Sequence, residues 1–167
     1  MNQNFREKVE VVIMYNGKYG ICLPSKEKPW HCLPGGGIDA GESLEVAAKR
    51  ECLEEVGINI KHVIDLNMPS IFLGDVYGKG KNKGFDGGRT HYVLASYRSI
   101  DKSKYGNEGD ARKIEWMTIE EAVSHFTDNV FDKARTAVLT HLAELDRLRA
   151  NAQSNNVCSA ALRNTVE

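Results

Sequence analysis

The sequence has no long apolar run, and this absence excludes one class of protein. No stretch of the 167 residues approaches the roughly 18 consecutive apolar residues of a membrane-spanning helix. Residues 1–10 are polar and charged and lack the apolar centre of a secretory signal peptide. We therefore expect a cytoplasmic protein with no membrane partner.

An excess of charge of one sign is also missing. The chain has 22 Lys and Arg residues against 23 Asp and Glu residues, a formal net charge of −1. Such a balance provides no global basic field of the kind that attracts nucleic acid. Nucleic acid is therefore not an expected partner, although a local basic patch is compatible with this composition.

The cysteines are few and show neither a C-x-x-C pair nor a regular spacing. Without ligand spacing they do not predict a zinc site, and in apolar segments a free cysteine behaves as a small hydrophobic residue. We expect a reduced protein whose cysteines serve mainly in packing. The four residues are Cys22, Cys32, Cys52 and Cys158.

Turn and capping residues divide the chain into strands and helices. Asn16-Gly17 between two apolar runs predicts a β-hairpin, and Gly57 predicts the end of a helix over 43–56. Thr118 begins a capping box, and apolar residues at helical spacing predict a longer helix over about 131–149. Further strands are predicted within 58–68, 70–77, 90–98 and 113–118. This order indicates an α+β fold, with an α/β/α sandwich as one form of it.

The helix over 43–56 has an unusual acidic face. At about 100° per residue, Glu51, Glu54 and Glu55 share one side of this helix. Like charges at this spacing repel each other. A solvated surface tolerates this repulsion, and a bound cation removes it. The opposite side carries Val46, Leu53 and Val56, which we expect to face the sheet.

Two interpretations of the acidic face remain open from geometry alone. One is a solvated surface joined to the sheet by a connecting glycine loop. The other is a site for Mg²⁺ or Mn²⁺, because these ions prefer oxygen ligands. Small apolar residues continue the acidic face toward the helix N-terminus, which favours a partly enclosed cation site. Arg50 could orient a carboxylate, and the loop 35–37 could expose a backbone carbonyl ligand.

The pattern over residues 36–58 decides between them. Gly36, Glu42 and the run from Arg50 to Ile58 resemble the Nudix box, G-x5-E-x7-R-E-U-x-E-E-x-G-U, at every fixed position. Cys52 replaces the usual aliphatic residue at one position. The preceding segment 30–37 is similar to the lead-in of this family. The resemblance implies a Nudix-type α/β/α sandwich with a mixed central β-sheet over 5–150. The segment 151–167 is polar with few large apolar residues, and we expect it to be a flexible tail.

The resemblance also implies a reaction and a set of roles. It implies Mg²⁺-dependent hydrolysis, with Mn²⁺ as a substitute, of the pyrophosphate bond in a nucleoside diphosphate linked to another moiety. By position, Glu54 and Glu55 are the expected metal ligands, and Glu51 is a ligand or the general base. The Gly36 carbonyl is a further expected ligand. Glu42 and Arg50 are expected to hold the geometry of this cluster.

Outside the box, the resemblance suggests Glu108 as a further metal ligand or base, so the general base is left open between Glu51 and Glu108. The alternative for Glu108 is an acidic residue of a solvated loop with no role in the site. The glycine- and lysine-rich segment 78–89 is either a mobile lid over the substrate or an ordinary strand connection. Arg89, Tyr92 and Lys83 are candidate substrate contacts.

The box does not define the substrate. ADP-ribose, a dinucleoside polyphosphate, a nucleotide sugar and a nucleoside triphosphate are all compatible, and an RNA 5′ end is less expected. The alternative function is a catalytically idle Nudix-fold nucleotide-binding regulator. A homodimer is common among similar proteins, although no interface is evident in the sequence.

Overall fold

The computed structural model describes residues 4–73, 83–101, 103 and 112–163, with side chains through residue 150. The strands are β1 (Phe5–Tyr15), β2 (Lys18–Cys22), β3 (Gly35–Gly37), β4 (Ile58–Asp65), β5 (Ser70–Leu73), β6 (Gly87–Ile100) and β7 (Ile114–Met117). The helices are α1 (Leu44–Val56), α2 (Ile119–Ser124) and α3 (Val130–Arg163).

The seven strands form one mixed sheet. Its main order is β4-β6-β1-β2-β7, with β3 paired to β1 and β5 paired to β6. The long pair β1 and β6 is parallel, and every other pair is antiparallel. The predicted α+β class and mixed central sheet are therefore confirmed.

Helices cover both faces of the sheet, and β1 contributes to both cores. Val9, Val11 and Ile13 belong to the core on the α1 side, whereas Val12 packs in the core with Leu139 of α3. A strand buried on both faces needs a nearly continuous apolar run rather than strict alternation, which the sequence VEVVI supplies. The result is an α/β/α sandwich.

The local signals at the turns were correct. Asn16 and Gly17 adopt positive φ values of 50° and 73°, and Tyr15 pairs with Lys18 across this tight hairpin. Thr118 and Glu121 form a reciprocal capping box at the start of α2. Cys22, Cys32 and Cys52 are free and buried, as expected of small packing residues.

Three expectations need correction. The buried side of α1 consists of Ala47, Ala48, Cys52 and Val56. Val46 is 54% exposed and Leu53 is only partly buried, because the helix packs flat on the sheet through its small residues. The segment 35–37, expected as a loop, is strand β3. Helix α3 continues to Arg163 instead of ending near 149, since neither glycine nor proline interrupts that stretch.

Two expectations about the C-terminal part of the chain stay predictions. They are the flexibility of the tail over 151–167 and the end of the domain at residue 150. In the stretches that the structure describes, no helix combines the length and apolar character needed to cross a membrane. Of the segment 78–89, only residues 83–89 are described, so its role as a lid or connection stays open.

Candidate active site

Helix α1 is fixed at both ends, which fixes the direction of its acidic side chains. At its start, the Ser43 side chain accepts a hydrogen bond from the backbone N–H of Val46. At its end, Gly57 adopts a left-handed conformation with φ 66°, and its N–H is bonded to the last helical turn. The Gly57 carbonyl then accepts a 2.7 Å hydrogen bond from Asp101. These contacts hold the helix in one orientation, and the directions of its acidic side chains are therefore fixed as well.

Arg50 lies at the centre of the acidic cluster. Its Nε and Nη2 donate to the two oxygens of Glu42 at 2.9 and 2.8 Å, and Nη2 also donates to the Gly37 carbonyl at 2.8 Å. Its Nη1 contacts Glu51 at 2.8 Å and Glu54 at 3.2 Å. One guanidinium nitrogen thus occupies the point on which two carboxylates converge.

Strand β3 approaches the same carboxylates from the sheet. A methyl group added at Gly36 would fall directly on the carboxylate of Glu51. The absence of a side chain therefore allows the Gly36 backbone and the Glu51 oxygens to come together. Pairing of β3 with β1, Val9 opposite Gly36, holds this backbone in place.

Glu55 is held by a different set of partners. Its Oε2 accepts a 2.8 Å hydrogen bond from the Gly35 N–H, and its Oε1 lies 3.0 Å from the Lys28 ammonium. Arg112 lies 4.0 Å from the same Oε1. Glu55 is thus a nearly buried carboxylate, 9% exposed, placed between a backbone donor and two cations.

The electrostatics of the cluster differ between its members. Burial raises the pKa of Glu51, Arg50 opposes that rise, and the charges of Glu54 and Glu55 add to it. The hydrogen bonds from Arg50, with one from the Asp39 backbone, lower the pKa of Glu42 to about 2. Glu42 is therefore anionic at neutral pH and fixes Arg50, whereas burial favours the protonated form of Glu51.

These residues fit a hard divalent cation by their chemistry. Within the described part of the chain, no three acidic, histidine or cysteine side chains form a ready cluster for a metal ion. The carboxylates are instead neutralised by Arg50 and Lys28. The convergence of Glu51 and Glu54 on one cationic nitrogen provides carboxylate oxygens, the donors that Mg²⁺ or Mn²⁺ prefers.

A pocket of about 430 Å³ opens beside Glu55. Trp30, 50% exposed, and Phe131 supply aromatic surface, and Lys28 stands at the same wall. Arg135 also lines it, bonded to Glu10 at 2.6 Å and to Asp132 at 2.8 Å. A concave site with aromatic walls and a few placed charges is typical of small-molecule binding.

Comparison with known proteins identifies the family and the fold. A family model described as NUDIX domain matches residues 5–138. The chain belongs to the Nudix family. The predictions of this family and of a Nudix pyrophosphohydrolase are confirmed.

Several Nudix relatives and structures are similar to this chain. An RNA pyrophosphohydrolase of Wolbachia pipientis subsp. Culex pipiens (strain wPip) is 30% identical over 122 residues, covering 68% of this chain and 75% of the relative. A putative 8-oxo-dGTP diphosphatase of Bacillus subtilis (strain 168) is 43% identical over 49 residues, 29% of this chain and 33% of the relative. A NUDIX hydrolase structure from Nitrosomonas europaea superposes with a TM-score of 0.60 at 16% identity, covering 83% and 90% of the two chains. The E. coli dihydroneopterin triphosphate pyrophosphohydrolase also superposes with a TM-score of 0.60 at 16% identity, covering 84% and 99%. At these identities the structures show the fold alone.

Arg50 bonds to three other residues of the Nudix pattern, Glu42, Glu51 and Glu54. Gly36 lies against the Glu51 carboxylate, and Glu55 lies on the pocket side of this network. The loop glutamate suggested as a further ligand, Glu108, lies outside the described residues.

The three candidate substrate contacts have other surroundings in the structure. Arg89 pairs with Glu7 at 2.9 Å and its guanidinium stacks over the Phe5 ring at 5.0 Å. Tyr92 is 1% exposed in the core on the α3 side. Lys83 occupies an exposed turn. Their roles in substrate binding stay predictions.

Sequence reasoning missed Lys28 and Arg112. Arg112 is 1% exposed and donates to the carbonyls of Leu23 and Trp30 and to the Cys32 sulfur. Its position just before a predicted strand gave no sign of burial. Lys28 belongs to a polar loop of ordinary composition, and only the tertiary contact with Glu55 distinguishes it.

Proposed function

We propose that this chain hydrolyses the pyrophosphate bond of a nucleoside diphosphate or triphosphate derivative in the presence of Mg²⁺ or Mn²⁺. The observation that carries the proposal is the convergence of Glu51 and Glu54 on one Arg50 nitrogen, beside the Gly36 backbone. Such a group of oxygens can bind a polyanionic substrate only with a cation between them. When bound, the divalent ion would neutralise phosphate charge and make a coordinated water more acidic.

The residues of the site have separate proposed roles in metal binding, positioning and proton transfer. Glu51, Glu54, Glu55 and the Gly36 carbonyl are the groups that would hold the cation. Arg50, fixed by Glu42, orients Glu51 and Glu54. Glu51 is also suited to accept a proton from the attacking water, because burial raises its pKa. Glu108 is the other candidate for this role.

The pocket beside Glu55 is the proposed place for the nucleoside. The exposed face of Trp30 offers a stacking surface for a base, and the opening toward Glu55 would direct the phosphates to the acidic cluster. Its volume of about 430 Å³ suits one nucleoside better than two. Among the four substrate classes, this favours a mononucleotide derivative.

A second candidate substrate is the 5′-triphosphate end of RNA. The supporting observation is the 30% identity with an RNA pyrophosphohydrolase over 75% of that relative's length. The balanced net charge argues against strong binding to a long RNA backbone. A short 5′-triphosphorylated oligoribonucleotide therefore belongs in the same test as the mononucleotides.

The test is a hydrolysis screen with Mg²⁺ and with Mn²⁺. The panel contains nucleoside triphosphates, an oxidised purine triphosphate, ADP-ribose, a diadenosine polyphosphate, a nucleotide sugar and the oligoribonucleotide. Released phosphate and pyrophosphate are both measured. We expect strong metal-dependent turnover of at least one compound.

Two variants make the screen specific to the site. Glu51→Gln should remove turnover, since it takes a charged group from the centre of the cluster. Glu45→Gln is the matched control, because Glu45 is on the same helix but is exposed and pairs only with Lys49 among the described residues. Nucleotide binding without turnover in the folded protein would favour the idle regulator instead.

A further inference from the structure

Lys28 is placed between the acidic cluster and the pocket. Its ammonium lies 3.0 Å from Glu55 Oε1, and its side chain also lines the pocket wall next to Trp30. The Lys28 side chain is 43% exposed, against 9% for Glu55. The contact therefore joins a mobile type of cation, on a flexible four-carbon stem, to a fixed and nearly buried carboxylate.

Glu55 does not need Lys28 to keep its position. Its other oxygen accepts the 2.8 Å hydrogen bond from the Gly35 N–H, and Gly35 belongs to the sheet through β3. Arg112, itself buried, supplies a second positive charge at 4.0 Å. Oε1 would thus remain in place and be open to another cation if Lys28 moved away.

The Lys28 backbone is anchored independently of its side chain. Its N–H donates to the Ser25 hydroxyl at 3.1 Å, and its carbonyl accepts from the Ser25 N–H at 2.9 Å. A closed turn of this kind fixes the start of the side chain while leaving its end free to turn. The ammonium can reach into the pocket without moving the loop.

We infer that Lys28 is a resident counter-ion of Glu55 that is displaced when a divalent cation binds and then contacts the phosphates of the substrate. Two cations that compete for one carboxylate oxygen repel each other, so Lys28 and a divalent ion exclude one another at Oε1. The displaced ammonium faces the pocket, where a polyanion would receive it. Lys28 is thus a residue that binds substrate and also weakens metal binding before the substrate arrives. This inference rests on the proposed function of the cluster.

Displacement of Lys28 by the metal ion predicts two effects of one substitution: tighter metal binding and weaker substrate binding. Lys28→Gln removes the competing charge, so Mn²⁺ should bind the substrate-free protein about 3- to 10-fold more tightly. The same variant loses a phosphate contact, so KM for the best substrate of the screen should rise by about tenfold with a smaller change in kcat. A lysine that only stabilised the loop would produce neither the tighter metal binding nor this combination.

The measurement is calorimetric titration of the substrate-free protein with Mn²⁺, followed by steady-state kinetics. Lys26→Gln is the matched control, since Lys26 is an exposed lysine two residues earlier in the same loop. Lys28→Arg keeps the charge and should resemble the wild type in Mn²⁺ affinity. Glu54→Gln shows whether the titrated Mn²⁺ is bound at the box.

The outcomes separate this inference from the proposed function. Unchanged or weaker Mn²⁺ binding in Lys28→Gln, with box binding intact in the wild type, overturns the exchange and leaves the hydrolase proposal standing. Tighter Mn²⁺ binding with an unchanged KM overturns the phosphate contact. Absence of Mn²⁺ binding at the box in the wild type overturns both.

Discussion

Glu42 and Arg50 form a two-point ion pair, with Nε–Oε1 and Nη2–Oε2 distances of 2.9 and 2.8 Å. The pair joins the loop before α1 to the middle of that helix. Because the remaining donor nitrogen of Arg50 reaches Glu51 and Glu54, Glu42 influences the orientation of both carboxylates through Arg50.

This relationship predicts a large effect of Glu42→Gln on activity. The amide cannot accept two charge-assisted hydrogen bonds, so Arg50 loses its fixed orientation and the carboxylates lose theirs. We expect kcat/KM to fall about 10- to 100-fold, the range seen when groups that orient metal ligands are removed. Circular dichroism should show an unchanged fold, and Glu45→Gln should retain wild-type kinetics. Equal kinetics for the two variants would contradict the positioning role.

Two neighbouring glycines should respond differently to alanine. A methyl group at Gly36 would meet the Glu51 carboxylate, the movable end of a side chain. Gly36→Ala should therefore displace Glu51 and lower kcat/KM about 10- to 100-fold with little change in melting temperature. Mn²⁺ titration should show weaker binding in the same variant.

At Gly35 an added methyl group would meet backbone atoms instead of a side chain. It would contact the carbonyl of Val9 in β1, which cannot move without disturbing the sheet. Gly35→Ala should lower the free energy of unfolding by about 1–3 kcal/mol. Urea denaturation of both variants provides the comparison, and a larger loss of stability for Gly36→Ala would refute this assignment.

Arg112 should be required for stability as well as for the shape of the pocket. Its guanidinium satisfies the carbonyls of Leu23 and Trp30 in the loop that carries Lys28. Arg112→Met leaves these acceptors without a donor, and we expect a loss of about 2–4 kcal/mol in the free energy of unfolding. The control is Lys113→Met at the adjacent exposed position, which should change stability by less than about 0.5 kcal/mol.

Stability should decline at alkaline pH through Tyr19. Burial, with the charge of Asp146 and the 3.1 Å hydrogen bond to it, raises the pKa of Tyr19 to about 12. Above pH 10 the unfolded chain releases the phenol proton while the folded chain keeps it, so the unfolded state is favoured. The stabilisation is complete below about pH 10 and is lost as the pH rises toward 12.

The size of this effect is limited by solvent. The Asp146 side chain is 57% exposed, so screening reduces the contribution to about 1 kcal/mol. The free energy of unfolding should be measured between pH 9 and about 12 for the wild type and for Tyr19→Phe. The variant should show the shallower decline, and parallel curves would show that Tyr19 does not contribute.

Much of the fold could be predicted from the sequence because its signals are local. The Asn16-Gly17 turn, the Thr118 capping box and the Gly57 helix end each depend on the backbone preferences of a few adjacent residues. Where the signal was less specific, the prediction was less exact. The buried side of α1 was placed on large apolar residues, although Ala47 and Ala48 are the residues that let this helix lie close to the sheet.

The sequence by itself indicated the family, because the residues of the pattern G-x5-E-x7-R-E-U-x-E-E-x-G-U follow one another along the chain from Gly36 to Ile58. Only the tertiary structure decided which cations neutralise the glutamates of this pattern. Lys28 and Arg112 come from distant loops, and their contacts with Glu55 arise from sheet pairing and loop closure. The pocket likewise combines β1, the Trp30 segment and the start of α3, a juxtaposition that no local pattern encodes.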